Sequence, residues 1–200
     1  AGTVAKRGLI ATLSFMAIIS ISLGILNLFP LPILDGGQIV FVLIEKLIGE
    51  HSSFGVMLSP RTAFMRSELE KLAESNNLNV KFVLHDSESN IHQSINSLKE
   101  QAAILAIPDK LIWNNKYIKN IILSSYKNEQ PIIGFSRNLV QAGSAATTYA
   151  DLDSIIKETL DRLNSHFNHN QKPITRSSYY FALAINNAVI RSLNMHPPKM

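Results

Sequence analysis

From Gly8 to Leu28 the chain reads GLIATLSFMAIISISLGILNL without one charged side chain, and Pro30 and Pro32 follow directly. At about 1.5 Å per helical residue such a run reaches roughly the 30 Å of a bilayer's hydrocarbon core, so a transmembrane helix is expected. Two other readings compete. Lys6 and Arg7 give the charged flank of a signal peptide, but the apolar part is long for one and no small-residue cleavage site follows. A buried helix of a soluble protein seldom continues this far without a charge. Ser14, Ser20 and Ser22 suit a membrane helix, where a hydroxyl bonds back to its own helix or marks a face that meets another.

The prolines then stop the helix, because neither carries an amide hydrogen. Backbone opened at membrane depth survives only where protein or water satisfies it, and such breaks usually line a site. Asp35 stands just before Gly36 and Gly37, ahead of a second apolar segment, QIVFVLIEKLI. On spacing alone it is either the N-cap of that segment or a metal ligand. From Gly37 to Ile48 only about 18 Å of helix is available, too little to cross a bilayer alone.

Asn27, Pro30, Pro32, Asp35, Gly36 and Gly37 together resemble the C-terminal motif of the site-2 proteases, the M50-type intramembrane zinc metalloproteases. The resemblance covers residues 8–50 and implies that Asp35 is a zinc ligand, with Asn27 a polar neighbour. It also implies two histidines and a general-base glutamate from a His-Glu-x-x-His helix, and no such sequence occurs in these 200 residues. No catalytic residue is therefore assigned, and zinc is expected only if another chain completes the site. A last transmembrane helix, which the resemblance implies soon after IEKLIGE, is likewise not found.

After Glu50 the patterning changes. FGVML from Phe54, NVKFVLH from Asn79, AAILAIP from Ala102 and PIIGFS from Pro131 are short apolar runs that read as strands. Between them RTAFMRSELEKLAESNN, with Phe64, Leu69 and Leu72 at helical spacing, NIHQSINSLKE and NKYIKNIILSSY read as helices. This alternation predicts an α/β lobe with a parallel sheet covered on both faces. ADLDSIIKETLDRL is the cleanest helix, with Asp151 as its cap and Leu152, Ile155, Ile156, Leu160 and Leu163 on one face. Near the end, YYFALAINNAVIRSLNM reads as a strand turning into a short helix.

Open parallel sheets bind ligands beyond the carboxyl ends of their strands. The residues expected there are Ser59 after the first strand, Asp109 after the third, and Ser136, Arg137 and Asn138 after the fourth. Arg137 suits a carboxylate, Asp109 an ammonium, and Ser59 either.

FGVMLSPRTAF, AAILAIPD, QPIIGFSRNLVQAGSAATTYAD and FALAINNAVIRSLNMHPP, taken in order, resemble landmarks of ABC-transporter substrate-binding proteins of the tryptophan-type branch. From about Phe54 onward the resemblance implies the second lobe of a type I periplasmic-binding fold. Such a domain is not catalytic; it closes on a small solute such as an amino acid and presents it to an ABC permease. It also implies a first lobe, which this chain does not show.

Remaining signals are weak. Cysteine is absent, so disulfides and thiolate metal sites are excluded. The whole +4 net charge lies after Glu50 and is scattered, which argues against a nucleic-acid partner. His166 and His169 fall in a polar stretch beyond the expected end of their helix, and His85, His92 and His196 show no ligand spacing. Trp113 and Tyr117 are expected on a helix as packing residues. No P-loop, dinucleotide fingerprint or nucleophile elbow occurs.

The organisation expected is thus a transmembrane segment over 1–50, a junction at 51–53 and an α/β lobe over 54–200, at the bacterial inner membrane and in contact with its lipid. Three functions follow. The first is a solute-binding lobe behind a catalytically incomplete protease segment. The second is a fragment of a site-2 protease, and the third a membrane-tethered interaction domain.

Overall fold

The computed structural model describes residues 37–49, 52–86, 90–149, 151–169 and 181–195. The run Gly8–Leu28, Asn27, Asp35, His51 and His196 lie outside them. Among the described residues no helix is long and apolar enough to cross a membrane.

Six strands form one sheet in the order β2-β1-β3-β4-β5-β6. They are β1 (Ser53–Leu58), β2 (Asn79–Leu84), β3 (Ala103–Leu105), β4 (Ile132–Ile133), β5 (Ala146–Tyr149) and β6 (Ala182–Ile185). The first five are parallel, as the alternating pattern predicts. β6 runs antiparallel to β5, from Ala146 opposite Ile185 to Tyr149 opposite Ala182. Seven helices are described: α1 (Gly37–Ile48), α2 (Arg66–Ser75), α3 (Ile91–Asn96), α4 (Ile118–Lys127), α5 (Arg137–Ala142), α6 (Leu152–His169) and α7 (Asn187–Ser192). Of these elements, α5 and β5 are not indicated by the apolar patterning.

Side chains on a strand alternate between faces, and here that alternation divides the apolar residues into two cores. Phe54, Val56 and Leu58 of β1, with Ala103 and Leu105 of β3, join the core that contains Leu69 of α2 and Ile190 of α7. Met57 of β1 and Ile104 of β3 join the opposite core, with Ile91 and Ile95 of α3 and Ile121 of α4. Gly55 lies on that second side, where a Cβ would stand 2.8 Å from Leu98 Cδ2. Leu98 therefore fills the space that a larger residue in β1 would take.

Helix α1 belongs to the first core. Val40, Phe41, Leu43, Ile44 and Leu47 are buried, at the spacing of one helical face, while Val42 and Lys46 face solvent. Phe41 meets Phe54 of β1 edge to face, with ring centroids 5.7 Å apart. At about 1.5–3 kcal/mol per buried side chain the five contribute on the order of 10 kcal/mol, an upper bound because the unfolded chain already hides part of that surface. Gly49 ends the helix at φ 89°, with its N–H on the Glu45 carbonyl at 2.7 Å. The Ser52 hydroxyl then closes the turn by donating to the Ile48 carbonyl at 2.7 Å. A helix of the 1–50 segment thus supplies part of the floor of the lobe.

Two expectations about helices are corrected. Phe64 is 76% exposed, and Met65 takes the buried place instead. The reason is a 3-10 turn over Ala63–Met65 ahead of α2, whose tighter winding shifts the phase of the face. Trp113 and Tyr117 lie in turns before α4 rather than on a helix.

In α6 the cap is as expected, since the Ser154 N–H donates to Asp151 Oδ1 at 2.8 Å. Most of its apolar face is exposed, however: Leu152, Ile156, Leu160 and Leu163 are open to solvent, Ile155 is half-buried, and Glu158 is buried.

Candidate functional site at the carboxyl edge of the sheet

The loops leaving β1 and β3 meet at the carboxyl edge. Ser59, the first residue after β1, is fully buried, and Asp109 in the β3 loop is 7% exposed. Thr62 joins them: its hydroxyl donates to Asp109 Oδ2 at 2.8 Å and accepts the Ser59 N–H at 2.9 Å. The other carboxylate oxygen accepts the Leu111 N–H at 2.9 Å. Burial works against the charge of Asp109, but the Ser59 hydroxyl, the Leu111 N–H and the Thr62 hydroxyl outweigh it and hold the carboxyl below its ordinary range. Asp109 is therefore an ionised clamp between two loops, already supplied with donors. Nothing in the chain's apolar pattern marks Thr62, whose role shows only once the two loops are adjacent.

The β4 loop completes the edge. Ser136 caps α5, its Oγ accepting the Leu139 N–H at 3.3 Å, and Arg137 and Asn138 follow on the exposed first turn. Phe135 packs edge to face on Trp113 of the β3 loop, centroids 6.3 Å apart. The indole N–H of Trp113 is buried and has no partner among the described residues. The hydroxyls of Ser144 and Thr148 are orphaned in the same way. Buried donors without partners are uncommon in folded proteins. Of the five expected residues, then, Ser59 and Asp109 face inward as a joint, Ser136 is a cap, and Arg137 and Asn138 are the ones presented to solvent.

Other places offer less chemistry. His85, at the end of β2, is buried with Nδ1 3.0 Å from Ser94 Oγ, which makes it an internal contact. α6 extends through His169, beyond the end expected from sequence, and the His166 and His169 side chains lie outside the described ones. A groove of about 560 Å³ runs between α3 and α4, lined by Asn90, His92, Gln93, Ser124 and Lys127, and it includes none of the edge residues. Among the described residues no group of three His, Asp or Glu side chains can hold a metal ion. The described part of the chain thus does not fit zinc, and Asp35 is outside it.

Comparison with known proteins divides the chain in two. The model of peptidase family M50 matches residues 1–60. Protease RseP of Yersinia pestis is 59% identical over 49 residues, which are 24% of this chain and 11% of that protein. The regulator of sigma-E protease RseP of Escherichia coli is 55% identical over a segment of the same length. The chain spans only about a ninth of these relatives. Among solved structures, a conserved domain protein from Vibrio cholerae aligns with a TM-score of 0.61 at 18% identity, over 83% of this chain and 57% of its own. An ABC domain from Streptococcus pneumonia in complex with L-Trp aligns at 0.58 and 16% identity, over 82% and 58%. The ligand-free, open form of a substrate-binding protein with adhesive properties from Clostridium difficile aligns at 0.63 and 17%, over 82% and 56%. Both resemblances read from the sequence are supported: the amino-terminal segment is similar to M50 zinc metalloproteases, and the parallel-sheet fold is that of a periplasmic-binding lobe. The M50 match extends across α1 and β1, so the two likenesses overlap on residues that share one core.

Proposed function

We propose that the described α/β unit is a solute-binding lobe whose carboxyl edge closes on a small molecule. What supports this is the joining of three neighbouring loops at that edge. Thr62 and Asp109 tie the β1 loop to the β3 loop, and Trp113 and Phe135 tie the β3 loop to the β4 loop. An edge held in this way is pre-organised for binding, which lowers the cost of ordering it around a ligand. The likeness in fold to a protein solved with L-Trp agrees with a small-molecule partner. A second lobe, from another chain or another part of the protein, completes the cleft in this reading, and an ABC permease is its downstream partner. The exposed face of α6, which starts beside the edge, is the surface that the second lobe covers.

The apolar run ahead of the lobe serves as its membrane anchor in this proposal, consistent with the membrane proteases that share the segment. With α1 docked in the core, only the residues between Leu28 and Gly37 separate anchor and lobe, about 30 Å at full extension, so the lobe works at the membrane surface.

Hydrogen exchange on the full chain in nanodiscs, with and without a panel of amino acids and other small solutes, tests the reading. Protection is expected at 59–62, 109–113 and 135–138. A panel that protects none of the three loops overturns it.

The M50 match favours a second reading, a piece of an intramembrane zinc protease in which Asp35 is a ligand. Zinc content and substrate cleavage of a co-expressed complex, compared between the native chain and Asp35→Ala, decide it. Unchanged values exclude it.

A further inference from the structure

We infer that this edge recognises an anionic group, a carboxylate on an organic solute, in preference to an ammonium. The inference rests on the binding-lobe reading and adds the charge of the ligand to it.

Three cations stand at the ends of three neighbouring strands. Arg61 precedes Thr62 and Lys110 follows Asp109, so these two flank the 2.8 Å bond between the loops. Arg137 lies two residues beyond Phe135, whose ring meets Trp113 one turn after Asp109. All three cations are exposed, and none is in a described salt bridge, since both of those lie on α2. Exposed cations on adjacent loops with no carboxylate partner in a described salt bridge make the local potential positive and draw in an anion. Arginine adds a planar fork that matches a carboxylate in two parallel bonds.

Three described acids in the strand-exit loops each have a partner. Asp109 is buried and takes donors on both oxygens. Asp151, after β5, caps α6 through the Ser154 N–H. Asp86, after β2, has a partner of its own. An ammonium arriving here therefore meets exposed like charge, and Asp109, the buried carboxylate between the loops, already has a donor on each oxygen.

The second observation is Trp113. Its buried indole N–H is a donor only, and it has no acceptor among the described residues. An incoming carboxylate oxygen is the kind of group that satisfies it, whereas an ammonium, which carries donors alone, cannot. The ring pair Trp113–Phe135 beside it supplies apolar contact for the body of such a solute.

Calorimetry on the full chain in nanodiscs, with acid and amine pairs that share a frame, tests the inference. Suitable pairs are indole-3-propionate and tryptamine, phenylpropionate and phenethylamine, and hexanoate and hexylamine. The acid of a pair is expected to bind at least about tenfold more tightly than the amine, with affinity falling as salt rises. Arg61→Gln and Arg137→Gln are each expected to weaken the acid by about tenfold, the scale of one charge-assisted hydrogen bond. Amines binding as tightly as their acids, or acids unaffected by both substitutions, overturn the inference and leave the binding lobe standing. If the three loops stay unprotected with every acid, every amine and every solute of the wider panel, the binding-lobe reading itself falls, and the inference with it.

Discussion

The Thr62 hydroxyl donates to Asp109 Oδ2 at 2.8 Å across 47 positions of sequence, and this bond joins the exit of β1 to the exit of β3. Thr62→Val keeps the shape of the side chain and removes the hydroxyl, leaving the Ser59 N–H without its acceptor and Asp109 without one donor. A loss of about 2 kcal/mol in urea unfolding is expected, the scale of a buried bond to a charged group. Ligand affinity is expected to fall with it. A change below about 0.5 kcal/mol would show that the joint carries no stability.

Asp109 also sets a direction with pH. Its folded-state carboxyl is held below the ordinary carboxylate range by the Ser59, Leu111 and Thr62 donors, which overcome the opposing effect of burial. A depressed carboxyl stabilises the fold above its unfolded pKa of about 3.9, and that contribution disappears as pH falls through the lower folded value. Stability measured between pH 6 and 2 should therefore fall at the acid end, and the Asp109→Asn protein should lack that part of the decline. Parallel curves for the two proteins would contradict the assignment.

Helix α1 offers the largest single effect. Phe41 and Ile44 are fully buried against the sheet, and Phe41 meets Phe54. Phe41→Ala and Ile44→Ala are each expected to cost about 3–4 kcal/mol, because a cavity is left beside a β-strand that cannot collapse into it. A chain beginning at Ser52 should show molten behaviour, with helical circular dichroism but a broad thermal transition. A cooperative transition at the native temperature would mean that the lobe folds without α1.

How far the sequence foretells this arrangement depends on what each residue must touch. The strands at Phe54, Asn79 and Ala103 and the cap at Asp151 announce themselves through local pattern, since apolar runs bounded by Ser, Pro and Asp have few other uses. β5 and α5 do not: SAATTY is too short and polar to stand out, and it becomes a strand because β4 and β6 flank it. The apolar side chains of α1 are visible in sequence, but apolarity does not tell a membrane from a protein core. Asp109 is legible as a loop carboxylate at the right edge, whereas its saturation by Ser59, Thr62 and Leu111 depends on two loops distant in sequence. The placing of Arg61, Lys110 and Arg137 in the exit loops of adjacent strands is hidden for the same reason, because it depends on the strand order.

Gly55 tests the packing of the second core. A Cβ there would lie 2.8 Å from Leu98 Cδ2 and 2.9 Å from Cδ1, and Leu98 is itself fully buried. Gly55→Ala is expected to destabilise by about 1–3 kcal/mol through overpacking. The double substitution with Leu98→Val should recover part of that loss, a coupling readable in a double-mutant cycle. Purely additive losses would place the strain elsewhere.

The apolar face of α6 separates stability from association. Leu152, Ile156, Leu160 and Leu163 make one side of the helix and are 70%, 48%, 53% and 45% exposed. Side chains exposed to this degree contribute little to the folded state, so Ile156→Gln with Leu160→Gln should leave the urea midpoint within about 0.5 kcal/mol of the native protein. If a second lobe covers this face, the same pair should weaken its attachment by about tenfold or more, since two buried aliphatic side chains contribute at least 1.5 kcal/mol each to such a contact. Crosslinking from Leu163→Cys to the partner lobe, or sedimentation of the complex, reads the effect. Attachment unchanged by the double substitution would assign the partner to another surface, while a large loss of stability in the isolated chain would mean that α6 is packed within it.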